Sequence, residues 1–156
     1  MEARRLVLTA LLVGLVAVVT MTVSVPLPGV KGYVNIGDTV VLLSGLIFGP
    51  LTGAAAGGFG SALADMLLGY AYWAPWTLII KGAEGLLAGW LALRWHRAAA
   101  AGTAAGVMVV GYFLAGSLLY GLGPALASLP GDLLQGAVSA ALCLIAAAPL
   151  QKYLAS

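Results

Sequence analysis

Trp73-Ala-Pro-Trp-Thr-Leu-Ile-Ile-Lys-Gly-Ala-Glu-Gly-Leu-Leu-Ala-Gly-Trp90 is the stretch whose reading decides the fold. It is apolar along most of its length and begins beside Pro75, which a helix tolerates in its first turn because no N–H is needed there. Yet it carries Lys81 and Glu84 about two turns inside the run. A charged side chain near the bilayer centre costs about 2.5–3.5 kcal/mol on insertion scales, so such residues face a cavity or a partner rather than lipid. Spacing i, i+3 sets both on one helix face, where they can pair. The pair either only ties helices together or also lines a solute site.

The whole chain agrees with a membrane setting. Its 156 residues are 62% hydrophobic and 8% charged, against about 25% charged in a soluble domain. The 22 glycines sit inside apolar runs, where they permit close helix packing in lipid. A net charge of +2 gives no reason to expect nucleic acid. The single cysteine, Cys143, excludes a disulfide framework and a thiolate metal cluster, and its apolar run makes it a packing residue.

Six membrane helices are expected, at about 5–25, 36–48, 51–69, 74–95, 102–121 and 131–151, forming one all-α transmembrane domain over 1–156. The first follows a basic start (Arg4, Arg5) and is long enough to span; no small-residue cleavage pattern closes it as a signal peptide would require. Ala10, Gly14 and Ala17 form a small-residue stripe on it that suits a neighbouring helix. A Pro- and Gly-rich loop from Pro26 to Asn35 follows. Asp38 opens the second helix, as a cap or as part of a site. Every fourth residue from Gly49 (Gly53, Gly57, Ser61, Asp65, Gly69) is small or acidic. That stripe turns Asp65 inward and marks helix 3 as the most buried. Tyr70, Tyr72, Trp73 and Trp76 make an aromatic turn of the kind found at headgroup level. From Trp73 to Trp95 is about 33 Å of helix, one interface to the other. His96 is interfacial, residues 121–130 form an ordered loop, and Asp132 caps the sixth helix with Gln135 one turn further in.

Six spans place both termini on one side. Arg4, Arg5, Arg94, Arg97 and Lys152 then share a face, with Lys31 alone opposite, and the positive-inside rule makes the five-residue face cytoplasmic. Asp38, Asp65, Lys81, Glu84 and Asp132 all fall in the outer half, beneath Tyr33, Tyr70, Tyr72, Trp73 and Trp76. Convergent polar groups under aromatics in an apolar protein point to a small-molecule site. The inner half lacks polar groups for an ion path, so the arrangement reads as a cup open to the outside.

Several chemistries are absent. Gly53-Ala-Ala-Ala-Gly-Gly-Phe-Gly60 lacks the Lys-Ser/Thr of a phosphate loop and the third glycine of a dinucleotide loop. No H-E-x-x-H, G-x-S-x-G or CxxC occurs. The chain therefore cannot hydrolyse ATP, no metal or cofactor is expected, and an intramembrane enzyme would have only Lys81, Glu84 and Asp65 to use.

Asn35-Ile-Gly-Asp38, Gly60-Ser-Ala-Leu-Ala-Asp65 with Gly69-Tyr70, and Trp76-Thr-Leu-Ile-Ile-Lys-Gly-Ala-Glu-Gly85 resemble the S components of energy-coupling-factor (ECF) vitamin transporters. The resemblance is strongest to the riboflavin-type and hydroxymethylpyrimidine/pyridoxine-type branch, and covers about residues 33–90. It implies an ECF S-component-like bundle in the prokaryotic plasma membrane that captures a vitamin from outside. The protein would then dock on a transmembrane coupling (T) subunit carrying two ABC-type ATPases. It further implies that Ala10, Gly14 and Ala17 meet that subunit, and that substrate sits under the loop from Pro26 to Asn35. The substrate-binding candidates are Asn35, Asp38, Asp65, Tyr70, Trp73, Trp76, Lys81 and Glu84. Four carboxyls (Asp38, Asp65, Glu84, Asp132) against Lys31 and Lys81 favour a neutral or cationic ligand: pyridoxine, a hydroxymethylpyrimidine, thiamine or riboflavin. A solitary solute transporter and a non-catalytic structural membrane subunit are the alternatives.

Overall fold

The computed structural model describes residues 2–26 and 32–155. Among these, six α-helices follow one another: α1 (Glu2–Thr22), α2 (Asp38–Phe48), α3 (Pro50–Leu67), α4 (Ala74–Ala92), α5 (Arg97–Tyr120) and α6 (Leu122–Ala155). Between α1 and α2 lie two short strands, β1 (Ser24–Pro26) and β2 (Tyr33–Asn35), paired antiparallel with Val25 opposite Val34. Large apolar side chains are exposed on most helices, among them Leu6, Leu11, Ile79, Leu118 and Ile145. In water that surface would be unfavourable; in a bilayer it is the lipid-facing surface. Residues 3–22, 97–120 and 122–152 are each long and apolar enough to cross a membrane.

The bundle is closest where α3 meets α4, and glycine makes that possible. A Cβ on Gly53 would lie 2.4 Å from the Gly85 carbonyl oxygen, and one on Gly57 2.4 Å from that of Lys81. Gly45 on α2 closes on the same Gly85 carbonyl, and Gly89 on the backbone of Pro50. Three helices thus pack backbone on backbone at their inner ends, as a small-residue stripe allows. Nine of 18 residues in α3 and nine of 19 in α4 are buried, so helix 3 is the more enclosed, as expected, with helix 4 close behind.

Several boundaries differ from the sequence reading. α1 stops at Thr22, and residues 24–26 and 33–35 of the expected loop region pair as strands; residues 27–31, Lys31 among them, lie outside the described residues. α5 begins at Arg97 because the His96 ring accepts the Ala98 N–H at 3.3 Å as an N-cap. The largest difference is α6, which starts at Leu122 and includes the segment expected as a loop. Pro124 falls in its first turn, where no N–H is needed. Pro130 lies inside the helix, which costs a rung of the hydrogen-bond ladder that membrane helices tolerate when neighbours re-satisfy the backbone. Asp132 is consequently ten residues inside α6 and caps nothing. Asp38 begins α2, but no side chain caps that helix.

Candidate functional site

The helical repeat builds a chamber in the outer half. Residues spaced by three or four lie on one helix face, and each long helix presents such a row to a single cavity. α3 contributes Ser61 and Asp65; α4 contributes Thr77 and Lys81, with Trp73 just ahead of it; α5 contributes Tyr112, Gly116 and Tyr120; α6 contributes Ser128, Asp132 and Gln135. Thr20 of α1 and Tyr33 and Asn35 of β2 complete the wall. The space inside it is about 70 Å³, smaller than most small-molecule sites.

Its floor is a buried polar network. The Lys81 ammonium donates to Asp38 Oδ1 and, at 3.1 Å, to Glu84 Oε2. All three side chains are 2% exposed or less. Asp38 Oδ2 accepts from Gln135 Nε2 at 2.8 Å, and Gln135 Oε1 accepts the Asn35 backbone N–H at 2.7 Å. One chain of contacts therefore joins β2, α6, α2 and α4. The sequence-expected Lys81–Glu84 pair is present, but Asp38 is a third member, 43 residues away in sequence. Removing Lys81 would leave two buried carboxylates without their cation, at about 3–5 kcal/mol.

The rim is aromatic. Gly69 takes φ +87° beyond the end of α3, and the Tyr70 N–H returns to the Asp65 carbonyl at 2.7 Å, closing a Schellman turn. That turn seats the Tyr70 ring 5.1 Å from Tyr33. Trp73 packs edge-on against Tyr112 (5.7 Å) and beside Tyr120 (6.0 Å). Tyr33 donates its hydroxyl to Asp65 Oδ1 at 2.7 Å, tying the strand segment to α3. Burial, with the Asp65 carboxyl beside it, pushes the Tyr33 phenol far above its ordinary value, so it remains a donor.

Of the sequence-derived candidates, Asn35, Asp65, Trp73 and Lys81 line the chamber. Asp38 and Glu84 do not reach the wall and act on it through Lys81. Tyr70 stands behind Tyr33, and Trp76 packs into the apolar cluster of Ile80, Met108 and Val109. Thr20, Thr77, Tyr112, Tyr120 and Ser128 went unnoticed in the sequence. Their i, i+4 spacing was the available signal, in Tyr112-Gly116-Tyr120 above all. On α1, Ala10 and Gly14 are exposed whereas Ala17 is buried in the bundle, 3% exposed. Cys143 packs among Leu42, Ala88 and Ala104. Among the described residues, no group of three or more His, Cys, Asp or Glu side chains could hold a metal ion.

A polar chamber enclosed by apolar spans is the architecture of a membrane solute-binding protein. Residues 1–154 match the family model described as ECF-type riboflavin transporter, S component. The chain belongs to this S-component family. S components are membrane-embedded transporter subunits rather than catalytic enzymes, and this one is a multi-pass helical bundle of that kind. Similar proteins include an uncharacterized protein in gap 3'region of Pyrococcus woesei, 45% identical over 124 residues (77% of this chain, 83% of that protein). The thiamine precursor transporter HmpT of Lactococcus lactis subsp. cremoris is 32% identical over 133 residues (85% of this chain, 78% of that protein). A UPF0397 protein of Streptococcus pneumoniae is 35% identical over 72 residues, 46% of this chain and 39% of that protein.

Proposed function

We propose that this S component captures a B-type vitamin or vitamin precursor from outside the cell and delivers it to an ECF module for ATP-driven uptake. The observation that carries the proposal is the outer chamber, where an otherwise apolar bundle gathers hydroxyls, carboxyls, two amides and aromatic rings around one cavity. Such a combination orients a flat polar solute: rings supply stacking area, and the few polar groups fix register. Family membership and the likeness to a thiamine precursor transporter support the substrate class of pyridoxine, hydroxymethylpyrimidine, thiamine or riboflavin. The candidate ligand contacts are Asn35, Asp65, Trp73 and Lys81, with Asp38 and Glu84 holding Lys81 and with Tyr70 and Trp76 behind the aromatic wall.

Energy for uptake comes from elsewhere in this proposal. The sequence carries no nucleotide motif, so a transmembrane T subunit and two ATPases drive the cycle. Ala10 and Gly14 form the docking face for the T subunit, since both are exposed and a Cβ on Gly14 would meet open space. Ala17 supports α1 from within.

Uptake of radiolabelled vitamins by cells or proteoliposomes, with and without a co-expressed ECF module, tests the proposal. Uptake that requires both the S component and ATP supports it. Uptake by this chain alone would replace it with a solitary transporter. Absence of uptake and of binding across the panel would remove it.

A further inference from the structure

The lipid-facing side of α4 changes character along its length, at the end of the bundle away from the chamber. Ile79, Leu86 and Trp90 are all exposed and, at spacings of seven and four residues, share one helix face. Just beyond the helix end the Arg94 guanidinium lies over the Trp90 ring, 4.7 Å from its centroid. The column therefore runs from aliphatic to aromatic to cationic. From Ile79 to Trp90 is about 16 Å of helix, close to half of a hydrocarbon core about 30 Å thick. Stacking uses the flat face of the guanidinium and leaves its N–H edge free to donate in the plane. Arg97 opens α5 three residues later, at most about 11 Å along the chain, and both arginines and Trp95 are exposed. Among the described residues neither arginine has an ion pair. Glu84, the acid on α4, is ten residues back from Arg94 and held by Lys81. The T-subunit face proposed above is on α1, which packs chiefly on α3, so that interface does not account for these arginines.

We infer that the inner end of α4 and the α4–α5 turn bind one anionic phospholipid of the cytoplasmic leaflet. This is the end that carries Arg4, Arg5, Arg94, Arg97 and Lys152, cytoplasmic by the positive-inside rule. Arg94 and Arg97 take the phosphate oxygens, Arg94 in the bidentate manner that a held guanidinium permits. Trp90 and Trp95 lie at the glycerol level, where indole rings are favoured, and Leu86 and Ile79 run beside an acyl chain. Free phosphate would leave that apolar column unused, and a soluble acidic protein cannot reach down it. An anionic amphiphile matches all three parts in their order. Its binding pins the inner end of α4, the helix that carries Lys81 and Glu84.

The test is tryptophan quenching of the full chain in phosphatidylcholine nanodiscs into which acyl-brominated phosphatidylglycerol or acyl-brominated phosphatidylcholine is titrated. Two arginines at an anionic membrane surface favour the anionic lipid by about 30-fold. Brominated phosphatidylglycerol is therefore expected to reach half-maximal quenching at a mole fraction at least tenfold lower than brominated phosphatidylcholine. Trp90→Phe should remove part of the quenched signal, placing the lipid on α4. Arg94→Gln combined with Arg97→Gln should bring the two lipids within about threefold of each other, whereas Arg4→Gln combined with Arg5→Gln should keep the preference. Inorganic phosphate in excess should leave the quenching unchanged. Should the Arg94 and Arg97 variant not fold, the comparison of the two lipids on the unaltered protein still decides. Equal quenching by both lipids would overturn the inference. So would equal loss of the preference on removing Arg4 and Arg5, which would mark a diffuse surface field, or release by inorganic phosphate, which would mark an anion site without a lipid.

Discussion

The same face of α3 does two different things along its length. At the inner end, Gly53 and Gly57 bring its backbone against α4, with no room for a methyl group. One and two turns further out, Ser61 and Asp65 continue the same i, i+4 row, but there the row faces the chamber. The helix pair is thus sealed below and open above, and a stripe that changes from glycine to polar residues marks where sealing stops. Close packing excludes solute where nothing needs to bind, and polar side chains appear only where a cavity can receive them.

Breaking that contrast should have graded effects. The largest falls at the boundary between the two regions: Lys81→Met leaves Asp38 and Glu84 buried without their cation, and a loss of about 3–5 kcal/mol is expected by thermal or denaturant unfolding in detergent. Adding Asp38→Leu and Glu84→Met should restore most of that stability while binding stays impaired, because Lys81 also forms chamber wall. If the single substitution is neutral, the triad does not hold the floor.

In the sealed region, Gly53→Ala is expected to cost about 1–3 kcal/mol, because the new methyl meets backbone that must shift. Ser61→Leu, two turns along the same face, should change the midpoint of unfolding much less. It should instead abolish vitamin binding by filling the chamber. An equal stability loss at both positions would erase the distinction between the two regions.

Gln135→Ala cuts the link from Asn35 to Asp38, and about 1–2 kcal/mol of destabilisation is expected, together with faster ligand release in stopped-flow fluorescence. The smallest effect is assigned to the lipid face, where Leu118→Ala at a position 76% exposed should move stability by about 0.5 kcal/mol or less. Binding should be unaffected.

How much of this was legible in the sequence depended on whether a residue had a competing explanation. Lys81 and Glu84 stood out because charge inside an apolar span has few cheap readings, and the structure keeps them paired. The glycine row was legible for the same reason, its spacing being regular. Asp38 was ambiguous, since a carboxylate at a helix start also reads as a cap, and its partner on α4 is distant in sequence. The wall from α6 was obscured by Pro124 and Pro130, which read as a loop. Once helical, the segment aligns Ser128, Asp132 and Gln135 on one face. Tyr112 and Tyr120 were passed over because aromatic residues in membrane helices ordinarily belong to the interface. Of the small-residue stripe on α1, spacing could not tell the exposed Ala10 and Gly14 from the buried Ala17.

The measurement that tests the central claim most directly is ligand affinity, by calorimetry on the purified chain, for a panel of B vitamins and their precursors. The panel is run on the unaltered protein, on Ser61→Leu and on Leu118→Ala. Tight saturable binding of one panel member, lost in Ser61→Leu and retained in Leu118→Ala, is the expected result. Binding that survives closure of the chamber, or no binding to any member by a folded protein, would contradict it.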